Sequence, residues 1–224
     1  LFSLQHRGQE SCGIAVTDDT VVKQYKDMGL VPEVFNTEVL DKLTGKIAVG
    51  HVRYSTAGGS LRQNTQPLVS KYLKGALTVC HNGNLVNALE LREKFESEGC
   101  IFQTTIDTEV MAYVIARERV KNPSIEEAVS RMMDVIEGSY ALLVMSPKKL
   151  IGCRDPYGIR PLVIGKRGNS YILSSETCAL DSVGAEFVRD VEPGEIVVID
   201  ENGIRSIKTH CKKKPGALCI FELI

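Results

Sequence analysis

Short apolar runs, several with alternating polar positions, occur towards both ends of the chain and predict β-strands there. The alternation places every second side chain on one face, as expected for strands of a layered sheet. Eight segments show this pattern: 13–17, 21–25, 47–54, 76–80, 140–145, 162–164, 171–173 and 195–199.

Three helices are predicted between the two groups of strands. The first, 85–98, ends before Gly99 and turns four apolar side chains to one face, those of Leu85, Ala88, Leu89 and Phe95. The second, at about 108–120, has four inward positions, Val110, Met111, Val114 and Ile115. The third begins at Ser124 with Glu127 three residues later, which is the pattern of a capping box. Strands, helices and strands again predict an α+β fold of layered sheets and helices.

Composition narrows the functional class. The 224 residues are 43% hydrophobic and 25% charged, and no apolar run is long enough for a membrane span or a signal peptide. The 27 Lys and Arg balance 28 Asp and Glu, which argues against nucleic acid and anionic membranes as partners. Seven scattered cysteines without a zinc-type spacing indicate reduced thiols of a cytosolic protein. The expected ligand is therefore a small molecule.

The chain shows no internal repeat, low-complexity tract or flexible linker before its last residues. We therefore expect one domain over residues 1–211. A charged turn, Cys-Lys-Lys-Lys-Pro-Gly at 211–216, follows this span. Residues 212–224 are expected to begin the connection to a further domain that this chain does not contain.

Three polar, glycine-containing stretches at the ends of predicted strands are candidates for function: HVRYSTAGG (51–59), CHNGN (80–84) and TTIDTEV (104–110). In the first, Arg53 and Thr56 could bind a carboxylate, although most arginines are simply surface residues. In the second, Asn82-Gly83 is either a hairpin turn or an oxyanion hole made by a side-chain amide and a backbone N–H. Asp107 in the third lies where a helix starts, so a capping role competes with a binding role.

The thiols of Cys80 and Cys12 are expected to be packed rather than reactive. Cys80, His81 and Asn82 name the members of a thiol-protease triad. Consecutive residues of a strand point to opposite faces, so they cannot form one hydrogen-bonded set. Cys12 has no nearby base or cation in the sequence beyond His6 and Arg7.

Seven motifs occur in one order along nearly the whole chain: QHRGQES (5–11), HVRYSTAGG (51–59), HNGNLVNA (81–88), DTEV (107–110), RDPYGIRPL (154–162), SSETCALD (174–181) and VEPGEI (191–196). In this order they resemble class II glutamine amidotransferases. Within that family they look most like the amidophosphoribosyltransferase (glutamine phosphoribosylpyrophosphate amidotransferase) group, rather than glucosamine-phosphate synthase or asparagine synthetase.

The resemblance implies an N-terminal-nucleophile (Ntn) hydrolase fold, a four-layer αββα sandwich, expected here to be truncated at its N-terminus. It also implies that an N-terminal Cys attacks the glutamine amide, with its own α-amino group as general base. Ammonia then leaves and water hydrolyses the thioester to glutamate. Family members place that Cys well before the QHRGQES motif, whereas this chain starts at Leu1. The nucleophile and first strand are thus expected to be missing, and the chain alone to be inactive.

Matching the motifs residue by residue assigns the expected site. Arg53, helped by Thr56, would bind the α-carboxylate of glutamine, and Asp107 would bind the α-ammonium group. The side chain of Asn82 and the backbone N–H of Gly83 would form the oxyanion hole. Two supporting roles are also implied: Arg7 near the nucleophile, and Tyr54 in coupling to a second site.

The resemblance also implies the activity of a larger parent enzyme. Its absent phosphoribosyltransferase domain, with Mg²⁺, would pass ammonia to phosphoribosyl pyrophosphate and make 5-phosphoribosylamine, the first committed step of de novo purine synthesis. The enzyme would be a cytoplasmic transferase (a glycosyltransferase) and a homo-oligomer, either a dimer or a tetramer. No cofactor is expected within this chain, although Cys219 occupies a position where some members place one [4Fe-4S] ligand.

Two rival functions remain compatible with the sequence. The first is another class II amidotransferase that delivers ammonia to a different acceptor, which the identity of the downstream domain would reveal. The second is a nucleophile-less fragment that binds glutamine without activity, which a Cys at the mature N-terminus would exclude.

Overall fold

The computed structural model describes residues 1–55, 58–212 and 214–223, with the backbone alone for 221 and 223. Its strands are β1 Ser11–Thr17, β2 Val22–Met28, β3 Ile47–Arg53, β4 Leu68–Tyr72, β5 Gly75–Leu85, β6 Gly138–Ser146, β7 Lys149–Arg154, β8 Val163–Arg167, β9 Ser170–Ser174, β10 Glu186–Asp190, β11 Ile196–Asp200 and β12 Gly203–Ile207. Its α-helices are α1 Val31–Val34, α2 Thr37–Lys42, α3 Ala88–Ser97, α4 Asp107–Lys121, α5 Ile125–Met133 and α6 Thr177–Ser182. Three 3₁₀ segments are η1 Phe2–Arg7, η2 Arg62–Asn64 and η3 Ile220–Leu223.

The described strands form three antiparallel sheets. The largest has six strands in the order β12-β11-β7-β6-β5-β4. The other two have three strands each, in the orders β2-β1-β3 and β10-β8-β9. The long strand β5 lies between β4 and β6: its apolar start pairs with β4 up to Val79, and the residues from Thr78 to Leu85 pair with β6.

Helices α3, α4 and α5 cover one face of the six-stranded sheet. The predicted inward residues of α4 lie in this core, together with Met132 of α5 and Val79 and Leu142 of the sheet. All are at most 4% exposed. Helix α5 begins as predicted, since the Ser124 hydroxyl accepts a hydrogen bond from the N–H of Glu127 at 3.2 Å.

The two smaller sheets cover the opposite face of the six-stranded sheet. Here Cys80, Ala141 and Val197 pack against Ala15 of β1 and Ile164 of β8. Helix α6 closes this side, because its Leu180 packs on Val163 of β8. The order is thus helix, sheet, sheet, helix, which confirms the four-layer αββα arrangement.

The first predicted helix is wrong at its start. Leu85 ends strand β5, and α3 begins only at Ala88. Leu89 is 69% exposed, whereas Leu91 and Phe95 form the buried side of α3. The sequence pattern also failed to predict strands β4, β7, β10 and β12.

Two further predictions concern membrane-spanning helices and the domain boundary. No helix in the described part of the chain is long and apolar enough to cross a membrane. The division into a domain at 1–211 and a connection at 212–224 stays a prediction.

Candidate active site

A cavity of about 900 Å³ lies between the sheet that contains β3 and the sheet that contains β5. Its walls come from η1, the end of β3, the middle of β5, the start of α4 and the segments before α6 and in η3. The sequence-predicted residues that line it are Arg7, Arg53, Tyr54, Asn82, Gly83 and Asp107. Thr56 lies outside the described residues.

Asn82 and Gly83 lie inside strand β5, opposite Ala141 and Tyr140 of β6. The hairpin-turn alternative for this dipeptide is therefore wrong. The side-chain Nδ2 of Asn82 is buried and has no hydrogen-bond partner among the described residues. A buried donor without a partner is costly, so a cavity-lining amide of this kind is suited to an oxygen atom of a ligand.

Gly83 requires glycine for two reasons. Its φ is +145°, a backbone conformation that other residues rarely adopt. A Cβ at this position would also collide with the carbonyl oxygen of Ser139 on the neighbouring strand. The close pairing of β5 with β6 at this position thus depends on the missing side chain.

Arg53 ends β3 and is only 3% exposed. Its Nη1 lies 3.4 Å from the carboxylate of Glu10, and its Nη2 donates to the carbonyl of Gly58 at 3.3 Å. Burial lowers the pKa of the Arg53 guanidinium, while the charges of Glu10 and Asp107 act in the opposite direction. A guanidinium stays charged in proteins, so this wall of the cavity is cationic.

Asp107 provides the anionic group on the other side. It is the first residue of α4 and is 7% exposed. Its Oδ1 lies 3.1 Å from Nδ1 of His81, and its Oδ2 accepts from the N–H of Leu85 at 3.1 Å. Burial would raise the pKa of Asp107, but the His81 ring and backbone N–H groups outweigh it and lower the pKa. Because Ile106 is the N-cap, the competing capping role is wrong.

The outer wall of the cavity is an ion-pair network. Arg7 Nη1 bonds to the carboxylates of Glu176, at 2.5 Å, and Glu222, at 2.8 Å. Glu222 also accepts from Nη1 of Arg160 at 2.7 Å. The Glu222 side chain is 8% exposed, and each of its two carboxylate oxygens pairs with an arginine. This network joins η1, the 155–160 loop and η3 around one opening.

The thiols near the site behave as the sequence predicts. Cys12 and Cys80 are 0% and 4% exposed. Burial raises the pKa of Cys12 to about 11, with the charges of Glu33 and Asp27 adding to it. Burial likewise raises the pKa of Cys80 to about 12. No cysteine lines the cavity within the described ranges.

Several residues of the site were not predicted from the sequence. Glu10, which pairs with Arg53, belongs to the QHRGQES motif but carried no local signal of its own. His51 lines the cavity, and burial together with the His81 and Arg53 charges lowers its pKa to about 3, so its ring is neutral. His81 contacts Asp107 rather than any thiol. A search for polar residues within the predicted strands would have pointed to His51, whereas His81 follows the predicted end of its strand at Cys80.

Among the described residues, no metal-binding cluster includes Cys219. In the 1–55, 58–212 and 214–223 ranges no group of three or more His, Cys, Asp or Glu side chains is placed to hold an ion. Cys219 is also not among the residues that line the cavity.

Comparison with known sequences identifies close relatives. The amidophosphoribosyltransferase of Archaeoglobus fulgidus is 45% identical over 224 residues, all of this chain and 49% of the relative. The amidophosphoribosyltransferase of Bacillus subtilis is 46% identical over 207 residues, 92% of this chain and 43% of the relative. The chain therefore spans about half the length of the curated relatives it matches.

A solved structure agrees with these relatives. Glutamine phosphoribosylpyrophosphate amidotransferase from B. subtilis, complexed with ADP and GMP, superposes with a TM-score of 0.91 at 42% identity. The match covers 98% of this chain and 47% of that one. It confirms the resemblance to this group of enzymes and the Ntn hydrolase fold. Residues 51–182, which contain Arg53, Asn82 and Asp107, match the glutamine amidotransferase domain, and the chain belongs to that family.

Proposed function

We propose that the cavity binds L-glutamine and that the chain is the glutaminase domain of an amidophosphoribosyltransferase. The observation that carries this proposal is the unpaired, buried Nδ2 of Asn82. It lines the same cavity as a cationic Arg53 and an anionic Asp107. A cation, an anion and a free amide donor match the three polar ends of glutamine: α-carboxylate, α-ammonium and side-chain amide.

Each group has a distinct part in the reaction. Arg53, with Thr56, binds the α-carboxylate, and Asp107, which His81 holds as a carboxylate, binds the α-ammonium group. Asn82 Nδ2 and the Gly83 N–H stabilise the negative oxygen that develops when the amide carbon is attacked. One such donor contributes about 10²- to 10³-fold in rate. The net reaction converts glutamine and water into glutamate and ammonia.

No cysteine among the described residues lines the cavity, so the residues of this chain are assigned to binding, orientation and oxyanion stabilisation. Arg7 organises the wall beside the point of attack through Glu176 and Glu222. Tyr54, which is 69% exposed at the cavity, couples glutamine binding to the second site.

The whole protein, by its similarity to enzymes about twice as long, would pass the ammonia to phosphoribosyl pyrophosphate and form 5-phosphoribosylamine for purine synthesis. We expect it to be a cytoplasmic homo-oligomer, a dimer or tetramer. Mg²⁺ would belong to the phosphoribosyltransferase part. If the whole protein holds a [4Fe-4S] cluster, Cys219 would supply one ligand and the others would come from outside this chain, because the described residues contain no group of three or more possible ligands.

The test is ammonia release from L-glutamine by the full-length gene product. Arg53→Lys keeps the charge but loses the planar fork, and Asp107→Asn loses the charge that selects the ammonium group. Each should raise KM for glutamine about 10- to 100-fold, since hydrogen bonds to charged groups contribute roughly 1.5–3 kcal/mol.

Arg117→Ala is the matched control. Arg117 also lies on helix α4, but its side chain is 40% exposed and pairs with Glu98. Its kinetic constants should equal those of the unsubstituted protein. No ammonia release from glutamine, or release with an unchanged KM in both site variants, would contradict the proposal.

A further inference from the structure

The segment Asn64–Pro67 is polar and almost completely buried, although no function has been assigned to it. Asn64 and Thr65 are 0% exposed and Gln66 is 5% exposed. Buried amide side chains destabilise a fold unless their hydrogen bonds are satisfied. The partners of these side chains therefore show what the segment holds in place.

Gln66 holds the strand that presents the oxyanion donors. Its Oε1 accepts from the backbone N–H of His81 at 2.8 Å, and its Nε2 lies 3.4 Å from the carbonyl of the same residue. The main-chain pairing of β4 with β5 ends at Leu68 and Val79, and Gln66 lies where its next partner would be His81. Next to Asn82, the side-chain amide of Gln66 thus makes the hydrogen bonds that the backbone of a neighbouring strand would otherwise make.

Asn64 joins two other parts of the site. Its Nδ2 donates to the carbonyl of Gly59 and to the hydroxyl of Thr105, both at 2.8 Å, and its Oδ1 accepts from the N–H of Thr105 at 3.0 Å. Gly59 belongs to the loop after Arg53. Thr105 lies two residues before Asp107. The Asn64 side chain therefore connects the loop after Arg53, the cationic residue, with the segment before Asp107, the anionic residue.

The segment itself is fixed from the other side by β1 and β2. Lys26 of β2 donates from Nζ to the carbonyls of Thr65 and Pro67, at 2.7 and 2.9 Å. Burial lowers the pKa of this ammonium group. A Cβ on Gly13 of β1 would collide with the carbonyl of Gln66, so the close approach requires glycine there.

We infer that Asn64 and Gln66 are positioning residues of the amide-hydrolysing site, an assignment that rests on the proposed function. Gln66 fixes the backbone at His81, and so the direction of the Asn82 amide and the Gly83 N–H. Asn64 fixes the spacing between the Arg53 loop and the start of α4. The first acts on stabilisation of the transition state and the second on glutamine binding.

These two roles predict different kinetic effects in the full-length gene product. Gln66→Met, similar in size without the amide, should lower kcat for glutamine hydrolysis about 10- to 100-fold and change KM less than about threefold, because small misplacements of catalytic groups cost up to about 10²-fold. Asn64→Asp, which loses the donors to Gly59 and Thr105, should mainly raise KM, by about tenfold.

Thr78→Val is the matched control. Thr78 is fully buried on the same strand, and its hydroxyl has no hydrogen-bond partner in the described chain. An isosteric change there tests whether any buried polar substitution in β5 alters catalysis. Its kcat and KM should remain within about twofold of the unsubstituted protein.

Amide hydrogen exchange separates this inference from the proposed function. Gln66→Met should accelerate exchange in residues 80–85 and leave exchange in β7 unchanged.

If the unsubstituted protein hydrolyses glutamine while Gln66→Met keeps both its kcat and its exchange rates, the positioning role is refuted and the proposed function stands. If the unsubstituted protein releases no ammonia, the proposed function fails, and exchange alone decides whether Gln66 orders this strand. Should Gln66→Met not fold, Gln66→Asn, which keeps an amide but is one methylene too short to reach the backbone of His81, is judged by the same criteria.

Discussion

At the scale of single residues, the site depends on backbone directions as much as on side chains. Gly83 has a φ of +145° within strand β5 and lines the same cavity as Asn82. The local sequence Asn-Gly is equally suited to a hairpin turn. Only the pairing of Asn82 and Gly83 with Ala141 and Tyr140 excludes the hairpin, and this pairing is a long-range contact that the sequence does not reveal.

We predict that Gly83→Ala destabilises the protein more than Gly203→Ala does. Both residues have a positive φ, +145° and +99°, but only a Cβ at 83 meets another atom within 4 Å. Backbone strain alone at 203 costs about 1–2 kcal/mol, a fall in Tm of about 2–8 °C. Thermal melts should show a fall at least about twice as large for Gly83→Ala. Equal falls would mean that the collision with Ser139 is relieved without cost.

At the scale of elements, apolar periodicity predicted what lies in the core and failed where polar residues are buried. Helix α4 was predicted nearly to its ends because its inward residues are apolar and regularly spaced. Strand β5 was predicted only to Cys80, since the polar residues after it look like a loop. The backbone N–H groups of His81 and Leu85 in this part of β5 donate to Gln66 and Asp107, which come from distant parts of the chain. Edge strand β12 and the largely exposed β10 lack an apolar face and gave no signal.

For the same reason, the local sequence alone could not identify the residues of the site. Arg53, Asn82 and Asp107 were assigned through the family resemblance, because each had an ordinary structural alternative. Glu10, Asn64 and Gln66 contact these residues or their segments, yet they are polar residues in stretches that look like loops. Nothing in the spacing of Asn64 and Gln66 indicates that they are buried. The roles of all three residues follow from the packing of two sheets, those of β3 and β5, around one cavity.

At the scale of the whole molecule, the ion-pair network ties the two ends of the described chain together. Burial would raise the pKa of Glu222, but hydrogen bonds from Arg7 and Arg160 outweigh it, so the pKa lies below 4.5. A carboxylate with a lowered pKa in the folded state stabilises the fold above its ordinary pKa. That contribution is lost as the pH falls through the folded-state value.

We therefore predict a pH-dependent effect of Glu222→Gln. At about pH 7 it should lower the free energy of unfolding by about 1–3 kcal/mol, since it leaves two partly buried arginines without a charge partner. The difference from the unsubstituted protein should shrink as the pH falls below about 4.5, where Glu222 itself becomes neutral. Urea titrations across this pH range measure the difference in free energy of unfolding.

Glu38→Gln is the control for that titration. Glu38 pairs with Lys42 on the surface, with side chains 79% and 70% exposed, and such pairs contribute little. Its free energy of unfolding should match the unsubstituted protein within a few tenths of a kcal/mol at every pH. A loss for Glu222→Gln that does not change with pH would show that the network stabilises by packing rather than by charge.

The central claim is that one cavity holds the three polar ends of glutamine. A crystal structure of the protein soaked with L-glutamate, the expected product, tests it most directly. We predict the α-carboxylate against the Arg53 guanidinium, the α-ammonium against Asp107, and a γ-carboxylate oxygen within about 3 Å of Asn82 Nδ2. Glutamate bound elsewhere, or bound in this cavity with its α-ammonium directed away from Asp107, would contradict the account.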